Sequence, residues 1–453
     1  MGFRDVFLFL VTAGTNLQWV AIAAAGGASS ITVWLIGFAA MALPLAVCVI
    51  AMSSRHPEEG GLYVWSKIAF GDFAGFLTGW TYWMSNLPYF PAVLYFAAGN
   101  ALYAGGNRWI GLSGNAPYFI AASLAGLLIA TVFNVVGIEI GKWLSNAGAI
   151  ARWLATALLV ALGAAAFARF GSATDFSAPA LLPAANLKDV IFWSTIAFAL
   201  TGLESASFMG SEIRDATRTV PRAILASLPI ILLVYVAGTL SVLVALPVGD
   251  VSGLEGIMQA IQKMEARLAL PGVSALAAVL ITVTALGSVG AWLASVARIP
   301  FVAGIDRYLP EAFGRAHPRW GTPWVALVAQ AAITVVFILI GQAGTSVRGA
   351  YDALVAMTII WYFIPFLFLF ASAIKLRAEA AGPGFHVPGG RAAVAALGGL
   401  GLFTTAASIA LSLFPSENEP HPAWAVAKVV GLTALMLAVG VGVYWRGRRA
   451  LRA

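Results

Sequence analysis

The chain has 453 residues, with 26 Lys+Arg against 19 Asp+Glu and a net charge of +7; only 10% are charged, against roughly 25% in an ordinary soluble domain. Hydrophobic residues make up 60% and the mean hydropathy is +0.89. No soluble core of this length hides that much apolar surface, so a soluble enzyme, a disordered chain and a disulfide scaffold are excluded and a polytopic membrane protein is left.

A hydrocarbon core about 30 Å thick needs roughly 20 apolar residues per helix. Twelve such runs follow one another, at 6–25, 31–54, 73–103, 116–138, 143–168, 189–210, 223–247, 270–297, 323–342, 351–374, 393–414 and 423–445. The first lacks a cleavage-type boundary and reads as a retained span, not a signal peptide. It contains Thr12-Ala13-Gly14-Thr15-Asn16-Leu17-Gln18-Trp19, where Gly14 weakens the helix and Thr15, Asn16 and Gln18 bring polar groups to mid-membrane depth. Cys48, the single cysteine, lies in the second run and excludes an intramolecular disulfide, a cysteine-based zinc site and an iron–sulfur cluster. The third run is long enough to tilt and carries Tyr82, Asn86, Tyr89 and Phe90 before Pro91. Glu139 and Lys142, three apart at the end of the fourth, read as an interfacial helix pair. Arg152 stands about nine residues inside the fifth run, where a cation needs a partner or a wet cavity.

The sixth run repeats the pattern of the first in Phe198-Ala199-Leu200-Thr201-Gly202-Leu203-Glu204-Ser205, with a glycine and a carboxylate near mid-depth. Small-residue helix packing accounts for the glycines but not for Glu204. Between runs seven and eight, stretch 250–267 places Gly253 and Gly256 among apolar Leu254, Ile257 and Ile261, and reads equally as an outer lid or an inert connector. Lys428, five residues into the last run, is placed to snorkel toward the interface. His56, His317, His386 and His421 lie in loops without metal spacing, so neither a metal nor a cofactor is expected.

Two interrupted helices five runs apart fit an inverted repeat of five plus five helices, 3–170 and 188–376, with two appended helices at 392–446 in a single membrane domain of 1–453. With the N-terminus inside, eighteen Lys and Arg fall in inner segments and six in outer ones, with Arg152 and Lys428 inside runs. That bias puts both termini in the cytoplasm. The basic residues sit between apolar runs and not in one patch, which argues against nucleic acid. A helix break exposes free amides at one half-helix end and free carbonyls at the other, and an α-amino acid zwitterion satisfies both.

These residues resemble the amino acid–polyamine–organocation (APC) superfamily. Pro57-Glu58-Glu59-Gly60-Gly61-Leu62-Tyr63 is similar to that family's P-x-x-G-G-x-Y loop, and Gly71 through Gly79-Trp80 continues it. Phe198-x-x-x-Gly202-x-Glu204, with Glu212 and Pro221-Arg222-Ala223-Ile224, resembles its sixth-span motif; Ile305-Asp306-Arg307-x-x-Pro310 and Gly321-Thr322-Pro323 resemble its loop between spans 8 and 9. The ordered set covers most of the first ten spans. Where the family shows a G-S/T-G-I-F-like break, this chain has Thr12-Ala13-Gly14-Thr15-Asn16, one glycine fewer.

The resemblance implies an all-α, leucine-transporter-type fold of twelve helices with broken helices 1 and 6, and secondary transport of amino acids or related amines. It implies a substrate site at Ala13, Gly14, Thr15, Asn16, Asn86, Tyr89, Phe198, Ala199, Thr201, Gly202 and Trp292, the last within Leu286-Gly287-Ser288-Val289-Gly290-Ala291-Trp292. Phe198 matches an aromatic that closes over substrate, and Glu204 a gating, proton-linked glutamate. Arg152 matches a lysine that stands in for a sodium ion beside the span 1 break and span 8; an ion pair with Glu204, or with broken-helix carbonyls, is the alternative. Arg stays protonated in proteins, which makes Arg152 a fixed cation. Asn86 falls where some plant polyamine carriers have an aspartate, and without that acid a second ammonium lacks a partner. The expectation is therefore a permease for neutral amino acids in the cytoplasmic membrane, by proton symport or exchange, with a polyamine or cationic amino acid carrier as the alternative and a substrate-sensing transceptor behind both. A membrane-embedded enzyme needs a nucleophile–base or metal cluster within the spans, and the runs hold no histidine and one cysteine.

Overall fold

The computed structural model describes residues 1–57, 60–183, 187–302, 308–378, 387–415 and 421–450. Glu58 and Glu59 of the loop after the second run, Ile305, Asp306 and Arg307 before Pro310, and His386 lie outside the described residues, as do the side chains of Glu139 and Glu212.

The described residues are helical and irregular, with no strand among them. The first run is two helices, α1 (Phe3–Ala13) and α2 (Leu17–Ala25). Then come α3 (Ser29–Arg55), widened by a π turn at Phe38–Ala42, the short α4 (Leu62–Phe70), α5 (Asp72–Ala101), α6 (Ala116–Val136) and α7 (Ile138–Phe170). The sixth run gives α8 (Leu187–Ala199) and, past a break, a 3-10 segment at Leu203–Glu212. The longer helices that follow are α9 (Ala216–Ala245), α10 (Gly256–Leu268), α11 (Val273–Val302), α12 (Trp324–Gln342), α13 (Val347–Leu376), α14 (Gly390–Leu411) and α15 (Pro422–Ala450).

Among the described residues, ten helices are long and apolar enough to cross a membrane, with Phe3–Ala25 counted as one. The chain is a multi-pass membrane protein. The third and sixth expected runs fall outside those ten: α5 is thirty residues long but carries Thr78, Thr81, Ser85, Asn86 and Asn100, and the sixth is divided by its break.

Burial separates a central set from a peripheral one. The apolar stretch of α13 is 78% buried, whereas that of α15 is 17% buried and turns Leu435, Val439 and Trp445 outward, apolar surface that only lipid solvates well. α7 and α11 cross closely because both have glycine at the contact: a Cβ on Gly287 would lie 2.5 Å from the Gly148 Cα. Small residues permit such approach between helices in lipid. One turn beyond Gly148 stands Arg152, and next to Gly287 stands Ser288. At one end of the bundle α10 lies packed on α2, α7, α9 and α11. Its Ile257, Met258, Ile261 and Met264 are buried, while Lys263 and Arg267 face out.

Candidate functional site

Both expected breaks are present, and each has a local cause. The Gly14 N–H still donates to Leu10 O, and the Thr15 hydroxyl turns back to Val11 O (2.7 Å). Asn16 then restarts the helix as the N-cap of α2, its Oδ1 accepting from the Gln18 N–H at 3.3 Å. In the sixth run Gly202 adopts φ +102°, a conformation that favours glycine. A Cβ there would also meet Ala13 O at 3.1 Å, so the two breaks touch backbone to backbone.

Tyr235 of α9 bridges them. Its hydroxyl accepts from the Asn16 N–H and donates to the Ala199 carbonyl, both at 3.1 Å. The ring stacks on Trp34 at 4.4 Å, and the Trp34 indole N–H is fixed on Thr239. The Asn16 amide in turn donates to the Tyr89 hydroxyl of α5 at 3.0 Å.

Arg152 reaches from α7 into the first break. Its guanidinium donates to Thr12 O, to Thr15 O (2.8 Å) and to the Ser288 hydroxyl of α11. These are two carbonyls that the break leaves without helical partners, plus one hydroxyl. Of the two partner sets open at the sequence level, the broken-helix carbonyls hold it; among the described residues no ion pair joins it to Glu204.

Glu204 is fully buried on different partners. One oxygen accepts from the Gly202 N–H at 2.9 Å; the other accepts from the Tyr362 hydroxyl and, at a long 3.4 Å, from Tyr82.

Between the breaks lies a cavity of about 50 Å³. One water needs roughly 10–15 Å³ of such space, so it suits a ligand of a few heavy atoms. Ala13, Thr15, Asn16, Asn86, Tyr89, Phe198, Ala199, Thr201, Gly202 and Trp292 line it, together with Arg152. Phe198 forms an aromatic wall, edge-on to Trp19 at 5.1 Å and to Tyr362 at 5.0 Å. Two expected residues are not in the lining. Gly14 faces α9 instead, where a Cβ would press 2.6 Å from Ile231 Cδ1. Glu204 sits behind Tyr362, and only the tyrosine reaches the cavity.

A family model described as Amino acid permease matches residues 2–438. The chain belongs to this family, within the APC superfamily. It is a transporter and not an enzyme. Among its relatives, an uncharacterized transporter of Legionella pneumophila is 27% identical over 418 residues, 90% of this chain and 88% of that protein. A serine/threonine exchanger of Bacillus subtilis is 24% identical over 82% of this chain and 81% of its own length. A probable agmatine/putrescine antiporter of Lactococcus lactis is 22% identical over 78% and 74%.

Sequence reading missed five residues of the permease's cavity: Trp19, Ser85, Tyr235, Thr358 and Tyr362. Tyr235 and Tyr362 carried a usable signal, a phenolic hydroxyl mid-way along an otherwise apolar run, where a buried hydroxyl needs a partner. Lys428 needs a correction. It does not snorkel but is buried, donating to Ala343 O (3.0 Å) and Gly341 O (3.3 Å) at the end of α12. Those terminal carbonyls offer a lysine more than the interface does.

Proposed function

We propose that this permease is a secondary active carrier of neutral amino acids, working by alternating access in the cytoplasmic membrane with both termini inside. The fold is read as twelve spans: an inverted repeat of 3–170 and 188–376 with 392–446 appended. One observation carries the reading: the two helix breaks face each other across a small cavity. The free amide end of α2 suits a carboxylate, and the carbonyl end of α8 suits an ammonium a few ångströms away. Ala13, Thr15, Asn16, Ala199, Thr201 and Gly202 supply the backbone subsites; Asn86, Tyr89, Phe198 and Trp292 meet the side chain. Phe198 acts as the aromatic gate, and Glu204 acts through Tyr362 as the gating, proton-linked group.

Arg152 serves as the built-in cation at the first break, so uptake is independent of sodium and runs as proton symport or exchange. No acidic side chain lines the cavity among the described residues, which disfavours a diamine. The similarity to a probable agmatine/putrescine antiporter supports the alternative, a polyamine or cationic amino acid carrier.

Uptake and exchange by the purified protein in liposomes test the proposal. A labelled neutral α-amino acid accumulates, and its N-acetylated and amidated forms fail to compete. Equal competition by those blocked analogues defeats the zwitterion site, and putrescine ranking above serine or alanine selects the alternative.

A further inference from the structure

Glu255 stands outside the substrate site and outside the spans, immediately before α10. It is 8% exposed. Its Ser252–Gly256 segment is wedged between two ends. On one side Gly253 approaches Ile22 of α2, where a Cβ would sit 3.7 Å from Ile22 Cγ1. On the other the Asn100 amide of α5 donates to Leu254 O at 3.2 Å, and the Glu255 side chain lies flat against Gly99. A Cβ at Gly99 would meet both Cγ and Oε1 of Glu255 at 3.3 Å. The segment is turned onto these ends by Ser252, whose hydroxyl accepts from the Leu254 and Glu255 N–H groups.

The carboxyl is poorly served as an anion. Among the described residues its one hydrogen-bond donor is the Tyr103 hydroxyl at 3.5 Å. Tyr118 of α6 is the other titratable group that faces it, and that hydroxyl donates elsewhere, to Ala98 O at 2.9 Å. α2 carries no charged residue, and of the charged side chains that α7, α10 and the preceding loop bring to this end, Arg169, Lys263, Arg267 and Asp250 are exposed to solvent, while Glu265 of α10 accepts from the Gly272 and Ser274 N–H groups. α9 and α11 have their charged residues at the opposite end. Among the described residues no cation pairs with Glu255.

We propose that Glu255 is a proton-operated latch: protonated, it holds the 252–268 cap on the ends of α5 and α2, and ionised, it releases that cap from them. The bound species is a proton, and the site is separate from Glu204. Burial pushes this carboxyl up from 4.5 to about 7, with the Tyr103 hydroxyl opposing. The closed state binds the proton more tightly than an open state in which the carboxyl is hydrated. Closure is therefore strongest below about pH 4.5, weakens by up to tenfold per pH unit as the pH rises to about 7, and changes no further above that.

The test is thiol labelling of the full chain in nanodiscs with a charged maleimide, in a Cys48→Ala background. Leu254→Cys places the reporter under the latch, where the native side chain is 4% exposed; Gly114→Cys, in open space, normalises the reagent's own pH dependence. The 254-to-114 labelling ratio rises between pH 5 and 7 and is level from 7 to 8.5. With Glu255→Gln it stays at its pH 5 level throughout. A flat ratio with Glu255 in place overturns the proposal, as does a Gln variant that keeps the rise or labels at the pH 8 level. If the Gln variant does not fold, Tyr103→Phe decides. Removing the one donor to the anion moves the upper end of the rise to higher pH, and an unmoved rise refutes the latch. None of these readouts depends on which substrate is carried.

Discussion

Removing the guanidinium at position 152 tests the central electrostatic feature of the structure. Arg152→Ala deletes three hydrogen bonds from a charged donor, to Thr12 O, Thr15 O and the Ser288 hydroxyl. At roughly 1.5–3 kcal/mol each they amount to roughly 4–9 kcal/mol. Against this, the desolvation cost of burying the cation, several kcal/mol, is relieved. The net loss is about 2–4 kcal/mol, most of it at the α1 end, because two carbonyls are left facing a space without a donor. The protein has a built-in reporter for this loss in Cys48, its only cysteine, which is fully buried. A thiol-reactive fluorophore reports the melting transition as that thiol is exposed. Arg152→Ala melts at lower temperature, and Arg152→Lys, which keeps a cation but not the planar fork, falls between. The emptied site presents carbonyl and hydroxyl oxygens, so 150 mM sodium in place of choline raises the melting temperature of Arg152→Ala and leaves the native protein unchanged. A variant that melts like the native protein, or native transport that requires sodium, refutes this account of Arg152.

Gly202→Ala forces a side chain into φ +102° and within 3.1 Å of Ala13 O, so it lowers stability by about 1–3 kcal/mol in the same thiol assay and abolishes uptake. Tyr235→Phe keeps the stack on Trp34 but strands the Asn16 N–H and the Ala199 carbonyl at roughly 1–3 kcal/mol per group; substrate affinity falls at least tenfold, and unchanged uptake shows the bridge to be dispensable. Glu204→Gln keeps shape and hydrogen-bonding capacity but not charge: substrate binding survives, turnover slows and the pH profile of uptake flattens, whereas Glu204→Asp keeps the profile at a lower rate. Transport by the Gln variant that matches the native protein from pH 5 to 8 makes Glu204 structural.

The breaks were legible because glycine and mid-membrane polar groups are rare together in apolar runs. Arg152 was legible for the same reason, as a charge deep in an apolar run, and its place beside the first break was implied by the family resemblance. Its choice between carbonyls and Glu204 was not, since that depends on which face of α7 meets α11, and the close crossing at Gly148 and Gly287 decides it. Tyr235 and Tyr362 each put a hydroxyl into an apolar run, a signal that was passed over because, with 38 Phe and Tyr in the chain, most aromatics in the spans are packing. Glu204 was found, but its position behind Tyr362 followed from the 3-10 turn after Gly202, which no hydropathy pattern encodes. Lys428 was misread because an interface was the only partner its position in the run suggested, while the end of α12 is contributed from some 85 residues earlier in the chain.

The separation of the two buried charges bears on the choice of substrate. Arg152 and Glu204 have separate neutral partners, so neither cancels the other through a direct bond. Arg152 is a permanent +1 in proteins. The net charge around the cavity is therefore zero with Glu204 ionised and +1 with it protonated. A zwitterionic amino acid adds no net charge in either state, so it can stay bound while Glu204 changes protonation. A diamine adds two positive charges beside a fixed cation, with a single carboxylate set behind a tyrosine to offset them. On the proposed reading, the charge arithmetic of the site and its small volume both favour a short neutral amino acid. A cationic substrate would require a second acid, and Asn86 is the cavity-lining position where its absence is most consequential: Asn86→Asp should raise competition by putrescine relative to serine if charge sets the selectivity. No change in that ratio would place the selectivity in the aromatic wall of Phe198 and Trp292 instead.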